Sequence, residues 1–176
     1  MLLGLAGLAG GGALLHGLTR GGRAQAAGDQ AAEKVAAGRT FEVVKTDAQW
    51  REILTPAQFR ILRQAGTEYP FSSPLDREKR AGTFACAGCG LPLFSSATKF
   101  DSRTGWPSFW KPLGDAVVEE SDMSLGMKRV EVLCRRCGGH LGHVFEDGPP
   151  PTGLRYCMNG VAMIFRPGEA LTKEAS

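Results

Sequence analysis

Two Cys-x-x-Cys pairs constrain this chain more than any other feature. Cys86 and Cys89 lie in "CAGCG", Cys134 and Cys137 lie in "CRRCGG", and a glycine follows each pair. A turn of this kind lets two thiolates point at one ion, and two such turns supply the four soft ligands of a tetrahedral structural zinc site. A long stretch of chain separates the pairs, so the ion would join distant parts of the fold. The sequence therefore predicts a Zn²⁺ site at these four cysteines.

Two other uses of these cysteines are compatible with the sequence. Each pair could form a local disulfide, which an exported protein allows. Alternatively, His140 and His143 in "CRRCGGHLGH" could complete a site of two cysteines and two histidines. That second arrangement would leave Cys86 and Cys89 without metal partners. The joint occurrence of two Cys-x-x-Cys-Gly turns favours the four-cysteine site.

The N-terminal segment differs in composition from the rest of the chain. Residues 1–19 contain no acidic side chain, lysine or arginine, and "AQA" provides a small-x-small site that ends at Ala26. This pattern predicts an export signal over 1–26 and therefore a periplasmic protein. The basic leader that usually begins such a signal is missing, so the true start codon is expected further upstream. The alternatives are a membrane anchor or a cytoplasmic protein. Residues 27–39 read as a linker, 40–168 as one catalytic domain and 169–176 as a tail.

The domain is predicted to begin with short helices and to continue as antiparallel β-structure. Asp47 is a candidate N-cap for "AQWREIL", and Thr55 with Gln58 forms a capping box for a second helix that ends at Gly66. Short strands between turns follow, with "TFAC", "AVVEE", "MKRVEVLC", "HVF" and "GVAMIF" as the candidates. The fold class is therefore mainly β with short N-terminal helices.

Cys157 is the fifth cysteine and lies outside both pairs. A lone cysteine is more often an inert buried residue than a nucleophile, but its neighbours point to chemistry. His140 and His143 are available for proton transfer if no metal uses them. On a strand, Arg155 would share a face with Cys157 and favour the thiolate. Asn159 could bind a polar substrate group.

The aromatic segment "TGWPSFW" supplies a candidate substrate wall. Trp106 suits an exposed position beside a substrate, whereas ordinary core packing is the better interpretation for Phe109 and Trp110. The formal net charge is only +3, with lysine and arginine scattered along the chain, so nucleic acid is not an expected partner. A zinc-ribbon binding module with an inert Cys157 remains the alternative to an enzyme.

Four long segments carry a family resemblance: "LTPAQFRILRQAGTEYPFSSP", "CAGCGLPLFSSATKFDS", "GWPSFW" and "HLGHVFEDGPPPTGLRYCMNG". From about Thr40 to Pro167 the chain resembles the methionine-R-sulfoxide reductases of the MsrB type. The resemblance implies a fold of two small antiparallel β-sheets, described as β-tent-like, with N-terminal helical elements. It also implies that the four paired cysteines bind structural zinc.

The resemblance further implies an activity. Cys157 would attack the sulfur of methionine-R-sulfoxide in oxidised proteins and become a sulfenic acid while methionine leaves. His143 would protonate the sulfoxide oxygen, and Trp106 would pack against the substrate methyl group. The implied catalytic residues are Cys157, His143, His140 and Asn159, and the implied substrate-binding residues are Trp106, Arg155 and Phe145.

One position departs from the family pattern. Many members carry a second, resolving cysteine where this chain has Thr104 in "SRTGWP". Sulfenic Cys157 should then be reduced by an external thiol such as a thioredoxin-like protein, unless a zinc-ligand cysteine resolves it. Asp147 could orient a histidine or a water molecule, or it could be a turn residue. A monomer is expected.

Overall fold

A computed structural model describes residues 40–168. The predicted export segment and linker, together with the tail at 169–176, lie outside the described residues. In the described part of the chain, no helix has the length and apolar character needed to cross a bilayer.

Two short α-helices open the domain: α1 (Asp47–Ile53) and α2 (Pro56–Gln64). Thr55 and Gln58 form the predicted capping box of α2. The N-cap of α1 is Thr46, not Asp47, because the Thr46 hydroxyl accepts the N–H of Gln49 and leaves Asp47 as the first helical residue. The second helix also stops before Gly66, since Ala65 takes the left-handed conformation that ends it.

Within residues 40–168, nine strands follow in two antiparallel sheets, as the fold-class prediction required. The smaller sheet has the order β2-β1-β9 and the larger has the order β3-β4-β8-β7-β6-β5. The strands are β1 (Gly82–Cys86), β2 (Pro92–Ser95), β3 (Lys99–Phe100), β4 (Ser108–Phe109), β5 (Val117–Asp122), β6 (Arg129–Cys134), β7 (His140–Phe145), β8 (Arg155–Met158) and β9 (Met163–Pro167).

The strand predictions missed β2, β3, β4 and β8, and β8 is the strand that carries Cys157. Its four residues lie between the loop at 146–154 and a 3₁₀ turn over Gly160–Ala162, so no extended alternation marks it in the sequence. The same 3₁₀ turn shortens the predicted strand "GVAMIF", which is extended only from Met163.

The core lies between the sheets and the helices. Phe109 is fully buried, stacks on Phe94 at 4.4 Å between ring centroids and meets Phe84 edge-on at 4.9 Å. Trp50 from α1 and Leu62 from α2 are buried in the same cluster. The interpretation of Phe109 as core, rather than as part of a substrate wall, is therefore correct.

Candidate functional site

The four paired cysteines come together at the point where the two sheets meet. Cys86 is the last residue of β1 in the smaller sheet, and Cys134 is the last residue of β6 in the larger one. Cys89 and Cys137 follow in the adjoining turns. All four sulfur atoms lie within 4.8 Å of one another and none is in a disulfide.

The two turns have the same construction. The N–H of Gly90 donates to the carbonyl of Cys86, and the N–H of Gly138 donates to the carbonyl of Cys134, each at 2.8 Å. Both glycines have φ near +70° (72° and 65°), where other residues are strained, which explains why glycine follows each pair.

The sulfur geometry fits a tetrahedral metal ion. Cys86 Sγ lies 3.7 Å from Cys137 Sγ, and Cys89 Sγ lies 3.5 Å from Cys134 Sγ. Four thiolates bound at the usual zinc–sulfur distance would be about 3.8 Å apart. The cluster can therefore bind a metal ion. The five cysteines of the described residues are free, so the local disulfides are not formed. Both histidines bind carboxylates away from the cluster, so the site of two cysteines and two histidines is not formed either.

Cys157 lies in the middle of the larger sheet, between two strands. It pairs with Ser108 of β4 on one side and with His143 of β7 on the other. Directly opposed residues of an antiparallel pair have Cβ atoms about 5 Å apart on the same face. The register thus places the thiol and the imidazole of His143 side by side, and Cys157 is half-buried.

A β-bulge brings His140 to the same face. The register between β6 and β7 shifts so that Val132 pairs with Gly142 whereas Leu133 pairs with His140, which leaves one extra residue on β7. In a regular strand His140 and His143 would point to opposite faces. With the bulge, their rings lie 5.4 Å apart in an edge-to-face arrangement.

Each histidine is held by a carboxylate that the sequence did not reveal. His140 Nδ1 lies 2.7 Å from Glu131 Oε1, and His143 Nε2 lies 2.8 Å from Asp122 Oδ2. Because a carboxylate only accepts, each of these ring nitrogens carries the proton. His140 is 4% exposed, and its Nε2 is buried without a hydrogen-bond partner among the described residues.

The electrostatics of the Asp122–His143 pair are set by burial and by neighbouring donors. Burial raises the pKa of Asp122, but hydrogen bonds from Ser124 and His143 and the charge of Arg129 outweigh it and hold the pKa far below its usual range. Burial lowers the pKa of His143 below its usual value, and the hydrogen bond to Asp122 opposes that shift.

Arg155 shares the Cys157 face, two residues away on β8. Its guanidinium donates two hydrogen bonds of 2.8 Å to Asp147 and lies 4.5 Å from the centre of the Phe145 ring. Burial raises the pKa of Cys157, whereas the charge of Arg155 and the hydroxyl of Thr104 act to lower it, and burial is the larger effect. Asp147 therefore binds an arginine, not a histidine.

Two further predicted residues take positions that the sequence did not define. Asn159 is 3% exposed, and its amide is used within the fold: Oδ1 accepts from the N–H of Glu68 and Nδ2 donates to the carbonyl of Leu141. Trp106 is half-buried, and its indole N–H donates to the Glu68 carbonyl at 3.2 Å. A substrate role for these two side chains stays a prediction.

Thr104, at the position where the family resemblance implies a resolving cysteine, lies beside the thiol. Its hydroxyl is 3.9 Å from Cys157 Sγ and 2.8 Å from the hydroxyl of Ser102. Arg103 has φ of 60°, so this loop keeps a left-handed conformation that favours glycine although an arginine occupies the position.

Comparison with known proteins decides the family. The SelR domain model matches residues 54–167, which is more than half of the chain. A Leptospira interrogans protein named peptide methionine sulfoxide reductase MsrB is 55% identical over 127 residues, which cover 72% of this chain and 97% of that protein.

This chain belongs to the MsrB family.

Other MsrB proteins match to the same extent. The chain is 56% identical to an Agrobacterium fabrum protein of the same name over 127 residues, covering 72% of this chain and 94% of that protein. A Methanosarcina mazei protein of that name is 53% identical over 134 residues, covering 76% of this chain and 96% of that protein. The predicted MsrB membership, fold class and metal-binding cysteine cluster are thus confirmed.

Proposed function

We propose that this MsrB family member is an oxidoreductase that reduces methionine-R-sulfoxide in proteins to methionine, and so repairs oxidative damage. The observation that carries the proposal is the pairing of the half-buried Cys157 thiol with His143 across β7 and β8. The names of the MsrB relatives and the SelR match support the substrate class.

The chemistry reduces the sulfoxide and oxidises Cys157. The Cys157 thiolate attacks the sulfoxide sulfur and forms an S–S bond, while the sulfoxide oxygen takes up two protons and leaves as water. Water then attacks the Cys157 sulfur, the S–S bond breaks, methionine leaves with the bonding electron pair, and Cys157 becomes a sulfenic acid as one proton is released. Burial disfavours the thiolate, and the positive charge of Arg155 opposes that effect. Trp106, Arg155 and Phe145 would line the substrate, with Trp106 against the methyl group.

Proton delivery to the sulfoxide oxygen falls to the two histidines. Because Nε2 of His143 donates to Asp122, the proton that His143 transfers is held on Nδ1. His140 lies beside His143 on the same face, and its imidazolium form would donate from the buried Nε2 to the same oxygen. Asn159 would act indirectly, because its amide fixes the backbone of Glu68 and Leu141 beside the site.

Regeneration would use an external thiol. Among residues 40–168, the other four cysteines form the metal cluster, and Thr104 takes the resolving position. A first external thiol condenses with the sulfenic acid and releases water, and a second thiol frees Cys157 as the reductant becomes a disulfide. A thioredoxin-like protein is the reductant class that we propose.

We propose that the metal is structural Zn²⁺, because four thiolates in a tetrahedron suit zinc and leave no open position for substrate. Joining β1 to β6, the ion would hold the two sheets together. We also propose that the protein is a monomer and that it is exported to the periplasm. Residues 1–26 support the export, and N-terminal sequencing of the protein recovered from cells would test it.

The direct test of the activity uses a dabsyl-methionine sulfoxide substrate with dithiothreitol. We expect loss of the R epimer and persistence of the S epimer, measured by chromatography on protein with full metal content. Absence of turnover with both epimers would contradict the proposal and favour a binding module.

A further inference from the structure

Glu68 binds two segments of the candidate site, although the sequence assigned it no role there. It is 5% exposed. Its Oε1 accepts the N–H of Gly160 at 2.7 Å, and its Oε2 accepts the N–H of Val161 at 2.9 Å. These residues form the 3₁₀ turn that follows the Cys157 strand. The carboxylate therefore fixes the end of β8.

The backbone of Glu68 is fixed to the site from two sides. Its N–H donates to Asn159 Oδ1 at 2.9 Å, and its carbonyl accepts the indole N–H of Trp106 at 3.2 Å. All four polar groups of one residue thus connect the Trp106 loop with the turn after Cys157. These contacts bridge segments that are far apart in the sequence.

The segment that follows Glu68 is pressed against the Trp106 loop. The N–H of Phe71 donates to the carbonyl of Gly105 at 2.7 Å, and Phe71 itself has φ of 63°, which is strained for an aromatic residue. A Cβ on Gly105 would lie 2.6 Å from the Phe71 nitrogen, so the two backbones are in close contact. Strain of this kind persists only where surrounding contacts hold the chain in place.

We infer that Glu68 is a positioning residue that sets the distance between the Trp106 ring and the Cys157 thiol, and thereby the fit of the sulfoxide methyl group. This inference rests on the proposed function. Glu68 does not touch the reacting atoms. It acts through Trp106 and through the Gly160–Ala162 turn, so its loss should change substrate discrimination and not only the amount of folded protein.

Glu68→Gln is the sharpest test of this role. The two backbone N–H groups need two acceptor oxygens, and glutamine has only one, so its NH₂ group would face a second N–H donor. The probes are the R epimers of methionine sulfoxide and ethionine sulfoxide, which differ by one methylene at the group that Trp106 would contact. The ratio of kcat/KM for the two substrates therefore reports the position of the Trp106 ring.

We expect Glu68→Gln to lower kcat/KM for the methyl substrate by roughly 10- to 100-fold, as a small displacement in a site does, and to reduce the preference for methyl over ethyl. Trp106→Phe should reduce the same preference, and the double variant should resemble Trp106→Phe alone. Glu78→Gln, which removes an ion pair to Arg80 outside the site, is the matched control and should keep the wild-type preference.

Equal losses on both substrates, or effects of Glu68→Gln and Trp106→Phe that simply add, would show a merely structural role and overturn the inference. Inactivity of the wild-type protein on both substrates would overturn the proposed function, and Glu68's role with it. If Glu68→Gln does not fold with full metal content, Glu68→Asp is used, since it keeps both oxygens but shortens their reach. The same criteria then apply.

Discussion

His143 lies directly opposite Cys157 on the neighbouring strand, and Asp122 binds the Nε2 of its ring. The strand register fixes the side-by-side placement of thiol and imidazole, while the hydrogen bond at 2.8 Å fixes which ring nitrogen is free. Arg129 also binds Asp122, at 2.7 Å, so the carboxylate is itself held in place. The proposed nucleophile and the proposed proton donor are therefore positioned by the pairing of β7 with β8 and by the contacts of Asp122 with His143 and Arg129.

The Asp122→Asn variant should lower the pKa of His143 further. The Asp122 carboxylate stabilises the imidazolium and so raises the His143 pKa, whereas burial lowers it. Asparagine keeps an acceptor oxygen but not the negative charge, so the effect of burial is opposed less and the protonated fraction at neutral pH falls. An NMR titration of the His143 ring measures the shift. Asp115→Asn, at an exposed ion pair with Arg135, is the control. An unchanged or raised His143 pKa would refute this account of the pair.

Arg155→Gln and Asp147→Asn should move the pKa of Cys157 in opposite directions. The charge of Arg155 lowers that pKa and the charge of Asp147 raises it, so the first variant raises the pKa and the second lowers it. The pH dependence of Cys157 alkylation by iodoacetamide measures both. If the pKa of Cys157 shifts in the same direction in both variants, the charges of Arg155 and Asp147 do not control it in the way proposed.

Thr104→Cys should form a disulfide with Cys157 after one turnover. The Thr104 hydroxyl is already 3.9 Å from Cys157 Sγ, and the loop keeps its left-handed residue at Arg103. A rotamer change can then bring two sulfur atoms within bonding distance. Mass spectrometry after reaction with one equivalent of sulfoxide identifies the bond, and thioredoxin should reduce this variant faster than the parent.

Thr104→Ser is the matched control for that variant, because it keeps the hydroxyl and adds no thiol. A Thr104→Cys protein whose thiol stays reduced beside a sulfenic Cys157 would show that the loop holds the new side chain out of range.

Cys134→Ala should lose the metal ion and much of the stability. The variant keeps three of the four thiolates, which bind the ion more weakly than four. Because Cys134 ends β6 and the ion would join β6 to β1, loss of the ion would also separate the two sheets. Structural zinc supplies about 10–16 kcal/mol in zinc-finger peptides. Elemental analysis should give about one zinc per wild-type chain and far less in the variant, with a lower Tm. Cys157→Ser is the cysteine control and should keep its zinc. Wild-type protein without zinc would contradict the metal assignment.

The local features of this fold could be predicted from sequence, and the long-range ones could not. Two Cys-x-x-Cys-Gly turns predict a metal site because the ligands of each pair are neighbours in sequence. The capping box at Thr55 is equally local. The first helix shows the limit of this reasoning, since Thr46 and Asp47 are both suitable caps and only the hydrogen bond to Gln49 separates them.

The carboxylates of the site were missed for a physical reason. Asp122 reaches His143 only through the registers of β5 with β6 and of β6 with β7. A bulge, which no pattern in "HLGHVF" marks, decides that His140 and His143 share a face. Glu68 binds the turn after Cys157 although it lies 92 residues before Gly160 in the chain. A resemblance names candidate residues, but only register and packing show which partners hold them.

Single-turnover labelling of Cys157 tests the central claim most directly. Reduced wild-type protein is mixed with methionine-R-sulfoxide and no reductant, and dimedone then traps sulfenic acid for peptide mass spectrometry. The account predicts about one methionine formed per chain and one dimedone adduct, on Cys157, with neither in Cys157→Ser protein of full zinc content. Methionine formation by Cys157→Ser, or a disulfide from Cys157 to a zinc-ligand cysteine in place of the adduct, would contradict it.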